Sequence, residues 1–182
     1  MIPRFYPNLN YREFFSLFKF NPGSVEKFEK AFAEKFNSKS AVSFSYGRSA
    51  QWAFLKALGI NDKEIIMPAY TCSVVAHAVT LSGNKPVFVD SNEDDFNMNL
   101  DKIPKLINQN TRAIIATHTF GIPQDVSKLH AIRVNAEKKF GNKIWLINDC
   151  CHCFGAKWNK KFVGNQGDVA IYAFNISKMI TS

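Results

Sequence analysis

The clearest pattern near the start of the chain is a helical one. Between Ser24 and Phe36, apolar side chains recur every three or four residues, with glutamate and lysine between them. This spacing places the apolar residues on one face, so it predicts an amphipathic helix over 24–36. An earlier aromatic-rich stretch, 12–20, is separated from this helix by turn-forming residues 21–24. We expect the phenylalanines of both stretches to pack onto a core or a partner subunit.

Beyond residue 40, short apolar runs alternate with helical ones. The alternation predicts strands near 41–45, 65–67, 86–90, 112–117, 143–148 and 168–174, and helices near 49–59, 72–82, 100–107 and 126–139. Several of the strand runs are apolar throughout, which is typical of parallel strands covered on both faces. The pattern therefore predicts an α/β fold, with a mostly parallel sheet and helices on both faces.

Composition narrows the class of protein. With 182 residues, 46% of them apolar and 21% charged, the chain has the makeup of one soluble globular domain. No apolar run approaches the length that spans a bilayer, and the first residues lack the apolar core of a signal peptide, so we expect a cytoplasmic protein without a membrane partner. The net charge is +8, but the lysines are scattered over predicted helix faces, which argues against nucleic-acid binding.

Three of the four cysteines lie within residues 150–153, which leaves Cys72 as the one distant partner. Reduced thiols are therefore favoured over disulfides. No second cysteine or histidine pair lies elsewhere in the chain, so we expect no metal site.

Small and polar residues follow the predicted strands. They are Gly47, Arg48 and Ser49 after the first strand, residues 68–72 after the second, His118 after the fourth, Asp149 after the fifth and Lys178 after the sixth. Ligands of parallel sheets bind beyond the carboxyl ends of the strands, so these residues imply one common site.

A glycine ahead of a predicted helix offers a place for an anion. Gly47 lets backbone amides approach a bound group, and the helix that starts near Ser49 presents its N-terminal N–H groups to a phosphate. The same Gly-x-Ser pattern is also typical of a plain turn with a cap.

Asp149 and Lys178 suggest a specific chemistry together. Alone, Asp149 fits an N-cap or a ligand contact equally well. Lys178, preceded by Ser177 just past an apolar strand, suggests covalent chemistry rather than solvation. In pyridoxal-phosphate (PLP) chemistry an aspartate keeps the pyridine nitrogen protonated, and a lysine holds the cofactor and shuttles a proton. His152 fits either a contact to the cofactor's phenolic oxygen or a structural role.

Eight short motifs in order carry a resemblance to a known family. They are residues 45–50 (SYGRSA), 68–72 (PAYTC), 86–90 (PVFVD), 118–121 (HTFG), 148–152 (NDCCH), 155–156 (GA), 164–168 (GNQGD) and 177–178 (SK). With this set the chain resembles the DegT/StrS-type PLP-dependent sugar aminotransferases, which have the aspartate-aminotransferase-like architecture of fold type I. The resemblance runs from about residue 21 to the last residue.

The resemblance implies transamination of a nucleotide-linked keto sugar, with glutamate or glutamine as amino donor and PLP as cofactor. Lys178 then corresponds to the Schiff-base lysine, and this lysine separates the chain from the family's dehydratase branch, which has histidine there. The residues assigned to the cofactor are Gly47, Arg48, Ser49, Cys72, Asp149, His152 and Ser177. Among them, Asp149 contacts the pyridine nitrogen, and Arg48 and Ser49 hold the phosphate.

Two positions depart from the family pattern. Cys72 replaces an aromatic residue that stacks on the cofactor ring in many members, which shifts that contact to another residue such as Tyr70. Ala173 stands where many members have a phosphate-binding serine.

The resemblance also divides the chain. It implies an N-terminal aromatic-rich segment, 1–23, and a PLP-binding large domain, 24–182, that is truncated and lacks the family's small domain. A homodimer or a complementing C-terminal half is the expected partner. Two alternatives stay open: a catalytically silent fragment that associates with a partner, and another fold type I enzyme such as a lyase or a desulfurase.

Overall fold

The structure is a computed structural model that describes residues 11–16, 18 and 22–174. The helices are α1 (Tyr11–Ser16), α2 (Ser24–Phe36), α3 (Gly47–Ala57), α4 (Ser73–Leu81), α5 (Ile103–Leu106) and α6 (Val126–Phe140). The strands are β1 (Glu64–Pro68), β2 (Lys85–Val89), β3 (Thr111–Thr117), β4 (Trp145–Asp149), β5 (Lys157–Trp158), β6 (Lys161–Phe162) and β7 (Val169–Ile171). Within these ranges no helix combines the length and the apolar character needed to cross a bilayer.

Five strands form one parallel sheet in the order β2-β1-β3-β4-β7. Strands β5 and β6 form a small antiparallel hairpin apart from it. The main sheet confirms the predicted α/β class. Because its strands run in one direction, the carboxyl ends of β1, β3, β4 and β7 lie along one edge.

Successive side chains of the central strands point to opposite faces, and both faces are covered. Ile114 packs in a core cluster with residues of α5 and α6. Its neighbour Ile115 packs in a second cluster with residues of α3 and α4. Both isoleucines are fully buried, which explains why the strand sequences are apolar throughout instead of alternating.

Helix α2 has the predicted bounds, between two residues with positive φ, Gly23 and Asn37. Its aromatic face packs as expected, since the ring of Phe36 lies 5.1 Å from that of Phe154 and Phe36 is 2% exposed. By contrast Phe14 is 58% exposed.

Residues 41–45 form no strand in the described chain, so the first predicted strand is wrong. Its apolar side chains face solvent, with Val42 70% and Phe44 47% exposed. Ser43 donates its backbone N–H and its hydroxyl to the carboxylate of Glu29. This pairing with α2 takes the place of a bond to a neighbouring strand.

The helix predicted over 100–107 is a single turn, α5. Asparagine side chains mark both ends, because Asn99 Oδ1 accepts the N–H of Asp101 and Asn108 Oδ1 accepts the N–H of Asn110. Such local side-chain bonds compete with helix continuation.

The loop before β7 packs tightly on β4. A methyl group added at Gly167 would lie 2.8 Å from the carbonyl oxygen of Leu146, closer than packing allows. Asp168 then fixes the start of β7, because its carboxylate accepts the N–H of Leu146 at 2.8 Å and pairs with Arg133 at 2.9 Å. Residues 164–168 therefore hold the strand whose end leads to the site.

Candidate active site

A cleft of about 640 Å³ opens at the carboxyl edge of the sheet. Its walls come from the starts of α3 and α4 and from residues that end or follow β1, β3, β4 and β7. Of the residues predicted for the site, those that line the cleft are Gly47, Arg48, Cys72, Asp149 and His152. The fold brings them together from three separate parts of the chain.

The other predicted site residues are placed differently. Ser49 lies in the first turn of α3, where its N–H donates to the carbonyl of Tyr46, and it is not among the lining residues. Ser177 and Lys178 lie outside the described residues. Ala173, five residues before Lys178 in sequence, lines the cleft.

Asp149 is the fixed negative group of the cleft and is 6% exposed. Its Oδ2 accepts the hydroxyl of Thr117 at 3.2 Å, and its Oδ1 accepts the N–H of Cys151 at 3.1 Å. Thr117 is itself 3.5 Å from the hydroxyl of Thr71. A carboxylate has about four acceptor sites, so each oxygen keeps capacity for a donor on a ligand.

Two helix N-termini open onto the same cleft. The N-cap residues of α3 and α4, Tyr46 and Cys72, give no side-chain cap within the described chain, and neither first turn carries an acidic residue. The first turn of α3 carries Arg48, whose guanidinium lies 4.7 Å above the Tyr46 ring. Uncapped N–H groups and a cation make this wall suited to an anion such as a phosphate.

Gly47 is the first residue of α3, and a methyl group there would meet Ala173 Cβ at 3.5 Å, an ordinary contact distance. The described residues around position 47 therefore leave room for a side chain larger than that of glycine.

His152 also lines the cleft, with its ring parallel to that of Phe120 at a 5° interplanar angle and 6.3 Å between centroids. Phe120 belongs to the 3₁₀ turn Thr119–Gly121 that follows β3. The parallel packing fixes the plane of the imidazole at the cleft wall.

Thr119 is a site residue that the sequence did not reveal. It lines the cleft and is 4% exposed, yet its hydroxyl has no hydrogen-bond partner among the described residues. An unpaired buried hydroxyl is costly, so this atom points to a polar group on a ligand. Its only sequence signal is its place just after β3, which it shares with His118.

His118 does not line the cleft and is fully buried beneath it. Its Nδ1 accepts the N–H of Gln124 at 3.0 Å, so the other nitrogen carries the proton and donates to Asn148 Oδ1 at 3.2 Å. Burial lowers the pKa of His118 to about 4, so the ring is neutral at pH 7. His118 therefore joins β3 to β4 as a structural residue.

The four cysteines are free thiols, as predicted. Cys150 and Cys153 are buried and hydrogen-bonded to each other, and that bond together with burial raises the pKa of Cys150. Cys72 and Cys151 line the cleft. The described part of the chain contains no group of three or more histidine, cysteine or acidic side chains placed to hold a metal ion.

Comparison with known proteins identifies the family. Residues 19–182 match the DegT/DnrJ/EryC1/StrS aminotransferase family. The chain belongs to this family. The resemblance found in the sequence motifs is thereby confirmed.

Relatives in this family share both sequence and fold with the chain. The GDP-perosamine synthase of Escherichia coli O157:H7 is 33% identical over 159 residues, which cover 87% of the chain and 42% of the synthase. An aminotransferase from Psychrobacter cryohalolentis has a TM-score of 0.79 at 28% identity, covering 87% of this chain and 39% of that one. The putative sugar aminotransferase Spr1654 of Streptococcus pneumoniae, in its PLP form, shares the fold with a TM-score of 0.90 at 22% identity, covering 99% and 50%. The chain thus spans at most about half the length of these relatives.

Proposed function

We propose that this protein is a PLP-dependent aminotransferase that moves an amino group from glutamate or glutamine to a nucleotide-linked keto sugar. The observation that carries the proposal is the Asp149 carboxylate, buried and fixed at the cleft of a chain that belongs to an aminotransferase family. When bound, PLP supplies an electron sink, which accepts the electron pair released when the carbon–hydrogen bond of the substrate breaks.

The lining residues fit three polar groups of PLP, namely the ring nitrogen, the phosphate and the phenolic oxygen. Asp149 offers an acceptor for the protonated ring nitrogen. The open start of α3, with Arg48, offers donors and positive charge for the phosphate. His152 is the candidate donor to the phenolic oxygen. These groups line one cleft, and the unpartnered hydroxyl of Thr119 leaves a further donor for a ligand.

In this proposal Asp149 holds a proton on the ring nitrogen by charge. Thr117 and Cys151 hold the carboxylate in place through its two oxygens, so its position does not depend on the ligand. A carboxylate at hydrogen-bond distance from a ring N–H favours the protonated form by about one to three pKa units.

We assign the phosphate to the first turn of α3, with Arg48 and Ser49 as side-chain contacts and Gly47 as backbone contact. Cys72 and Ser177 complete the assigned cofactor residues. With Ala173 in place of a hydroxyl residue, Arg48 and the helix N–H groups carry this contact. Tyr70 lines the cleft and is the candidate aromatic contact to the ring in place of Cys72.

Lys178 is proposed as the residue that binds the cofactor covalently and moves the proton of the substrate. Its support is sequence position, five residues after Ala173 at the cleft and within the matched segment. The relatives include a GDP-4-keto-6-deoxy-D-mannose 3-dehydratase of Yersinia pseudotuberculosis at 31% identity. A lysine at this position favours amino transfer over that dehydration.

The keto-sugar substrate is proposed from relatives whose names specify sugar nucleotides, among them a dTDP-3-amino-3,6-dideoxy-alpha-D-galactopyranose transaminase of Aneurinibacillus thermoaerophilus. We extend the proposal to a cytoplasmic enzyme of polysaccharide biosynthesis, with 24–182 as part of the cofactor-binding large domain and 1–23 as a separate segment. A homodimer or a complementing C-terminal half would cover the exposed rings of Phe14 and Phe15.

The proposed activity is tested by following 2-oxoglutarate release from glutamate in the presence of PLP and a keto sugar nucleotide. We expect continuous release with GDP-4-keto-6-deoxy-D-mannose or its dTDP-linked counterpart, and no more than one equivalent per active site with either sugar lacking the keto group, because the keto sugar must take the amino group before a second turnover begins. Water loss from the sugar without net amino transfer would instead support the dehydratase reaction.

A further inference from the structure

Three aromatic rings stand exposed side by side at the rim of the cleft. Tyr70 is 48%, Phe96 49% and Phe120 63% exposed. The ring centroids lie 5.6 Å apart for Tyr70 and Phe96, 6.3 Å for Tyr70 and Phe120, and 6.4 Å for Phe96 and Phe120. We call these three residues the aromatic platform.

The backbone conformation at two of these residues is unfavourable. Phe96 has φ 58° and Phe120 has φ 52°, in the left-handed region that bulky side chains rarely adopt. Such conformations persist only where the surroundings impose them, and they concentrate at ligand sites. Here they hold large apolar rings in solvent, at a cost to the fold.

A buried asparagine imposes this arrangement. Asn97 is 2% exposed and accepts the N–H of Thr119 at 2.9 Å, and its amide donates to the carbonyl of Ile122 at 3.1 Å. Its own N–H donates to Asp95 at 2.9 Å. The loop that carries Phe96 and the turn that carries Phe120 are therefore joined as one unit, so the platform is formed before a ligand arrives.

The platform continues the cleft outward. Tyr70 and Phe120 are lining residues of the cleft itself, whereas Phe96 lies beyond them. Thr119, whose hydroxyl has no partner among the described residues, lines the same cleft, and so do the uncapped starts of α3 and α4. A ligand that matches this surface has a planar ring for the platform and polar, anionic groups next to that ring.

We propose that Phe96 and Phe120 of the aromatic platform bind the nucleobase of the nucleotide-linked substrate, next to Tyr70, which is assigned to the cofactor ring. This inference rests on the proposed function and specifies where the substrate lies relative to Asp149. A base stacks on aromatic faces, and the diphosphate next to it suits the uncapped start of α4, because the start of α3 is assigned to the phosphate of PLP. A second copy of the chain fits less well, because the rings are continuous with a polar cleft that two uncapped helix starts, Arg48 and Asp149 line.

The test is calorimetric titration of the PLP-saturated protein with GDP, with dTDP and with pyrophosphate, which lacks the base. Phe96→Leu and Phe120→Leu keep an apolar side chain but remove the aromatic face. We expect each to weaken GDP binding about tenfold and to leave pyrophosphate binding unchanged. Phe96→Tyr retains a ring and restores wild-type affinity. Phe88→Leu is the matched control, because Phe88 is 51% exposed on β2 and does not line the cleft.

Unchanged GDP affinity in both leucine variants, or binding of neither GDP nor dTDP by the wild-type protein, would overturn the inference. So would a loss of self-association in these variants with GDP affinity intact, which would make the platform an interface between copies. Covalent PLP labelling of the same variants separates the two proposals. If PLP labelling persists but the leucine variants bind GDP as the wild type does, the platform inference is wrong and the aminotransferase proposal stands. If labelling is missing but the leucine variants weaken GDP binding as expected, only the aminotransferase proposal is contradicted.

Discussion

Asp149→Asn is expected to slow amino transfer about a hundredfold, because a neutral amide no longer stabilises a protonated ring nitrogen by charge. A hundredfold corresponds to about two pKa units, within the range of a close opposite charge.

The fold should tolerate this change. An asparagine oxygen in place of Oδ1 still accepts the N–H of Cys151. Its amide nitrogen takes the place of Oδ2 and donates to the hydroxyl of Thr117, which then rotates its own proton toward Thr71. We therefore expect the free energy of unfolding to change by less than about 1 kcal/mol.

Two measurements on the same variant check this prediction. Turnover of the amino donor tests the loss of rate, and urea unfolding tests the unchanged free energy of unfolding. Asp168→Asn is the matched control, because it removes a carboxylate that ties β7 to Arg133 and Leu146 and does not line the cleft. It should lower stability by about 2 kcal/mol. If Asp149→Asn turns over donor at the wild-type rate, Asp149 is structural and the site is misassigned.

Acidification is expected to destabilise the protein through His118. Its pKa is about 4 in the folded chain and about 6.5 when unfolded, so the unfolded chain binds an extra proton between these values. The stability linked to the neutral ring is complete above pH 6.5 and is lost as the pH falls toward 4. The total loss is about 3 kcal/mol, of which about 1.3 kcal/mol falls between pH 7.5 and 5.5.

Urea unfolding at pH 7.5 and 5.5 isolates this effect, since most carboxylates stay ionised over that interval. His118→Asn keeps an acceptor for Gln124 and should remove about 1.3 kcal/mol of the pH dependence. His77→Asn, at an exposed position on α4, should leave it unchanged. Equal pH dependence in both variants would show that His118 binds a proton as readily in the folded chain as in the unfolded chain.

The central sheet was predictable because strands buried on both faces have continuously apolar sequences. Ile114 and Ile115 point into different core clusters, so a covered parallel strand has no polar alternation. The run at 41–45 is also rich in apolar residues, but it does not form a strand. A run of apolar residues does not specify a neighbouring strand, and here Ser43 pairs with Glu29 on α2.

Part of the site was predictable for a topological reason. Residues after parallel strands converge, and this rule selected Cys72 and Asp149, which both line the cleft. The same rule selected His118, which is buried instead, because sequence order does not tell which way a side chain turns. Thr119 and Asn97 were missed, since their roles depend on contacts between segments more than twenty residues apart.

The most direct test of the account is the position of covalent PLP attachment. The protein is incubated with PLP, reduced with borohydride and digested, and the modified peptide is mapped by mass spectrometry. We expect one modified site at Lys178, lost in Lys178→Ala and retained in Lys143→Ala, a surface lysine over the Trp145 ring. Labelling that is unchanged in Lys178→Ala, or that spreads over surface lysines, would contradict the assignment of this protein as a PLP-dependent aminotransferase acting through Lys178.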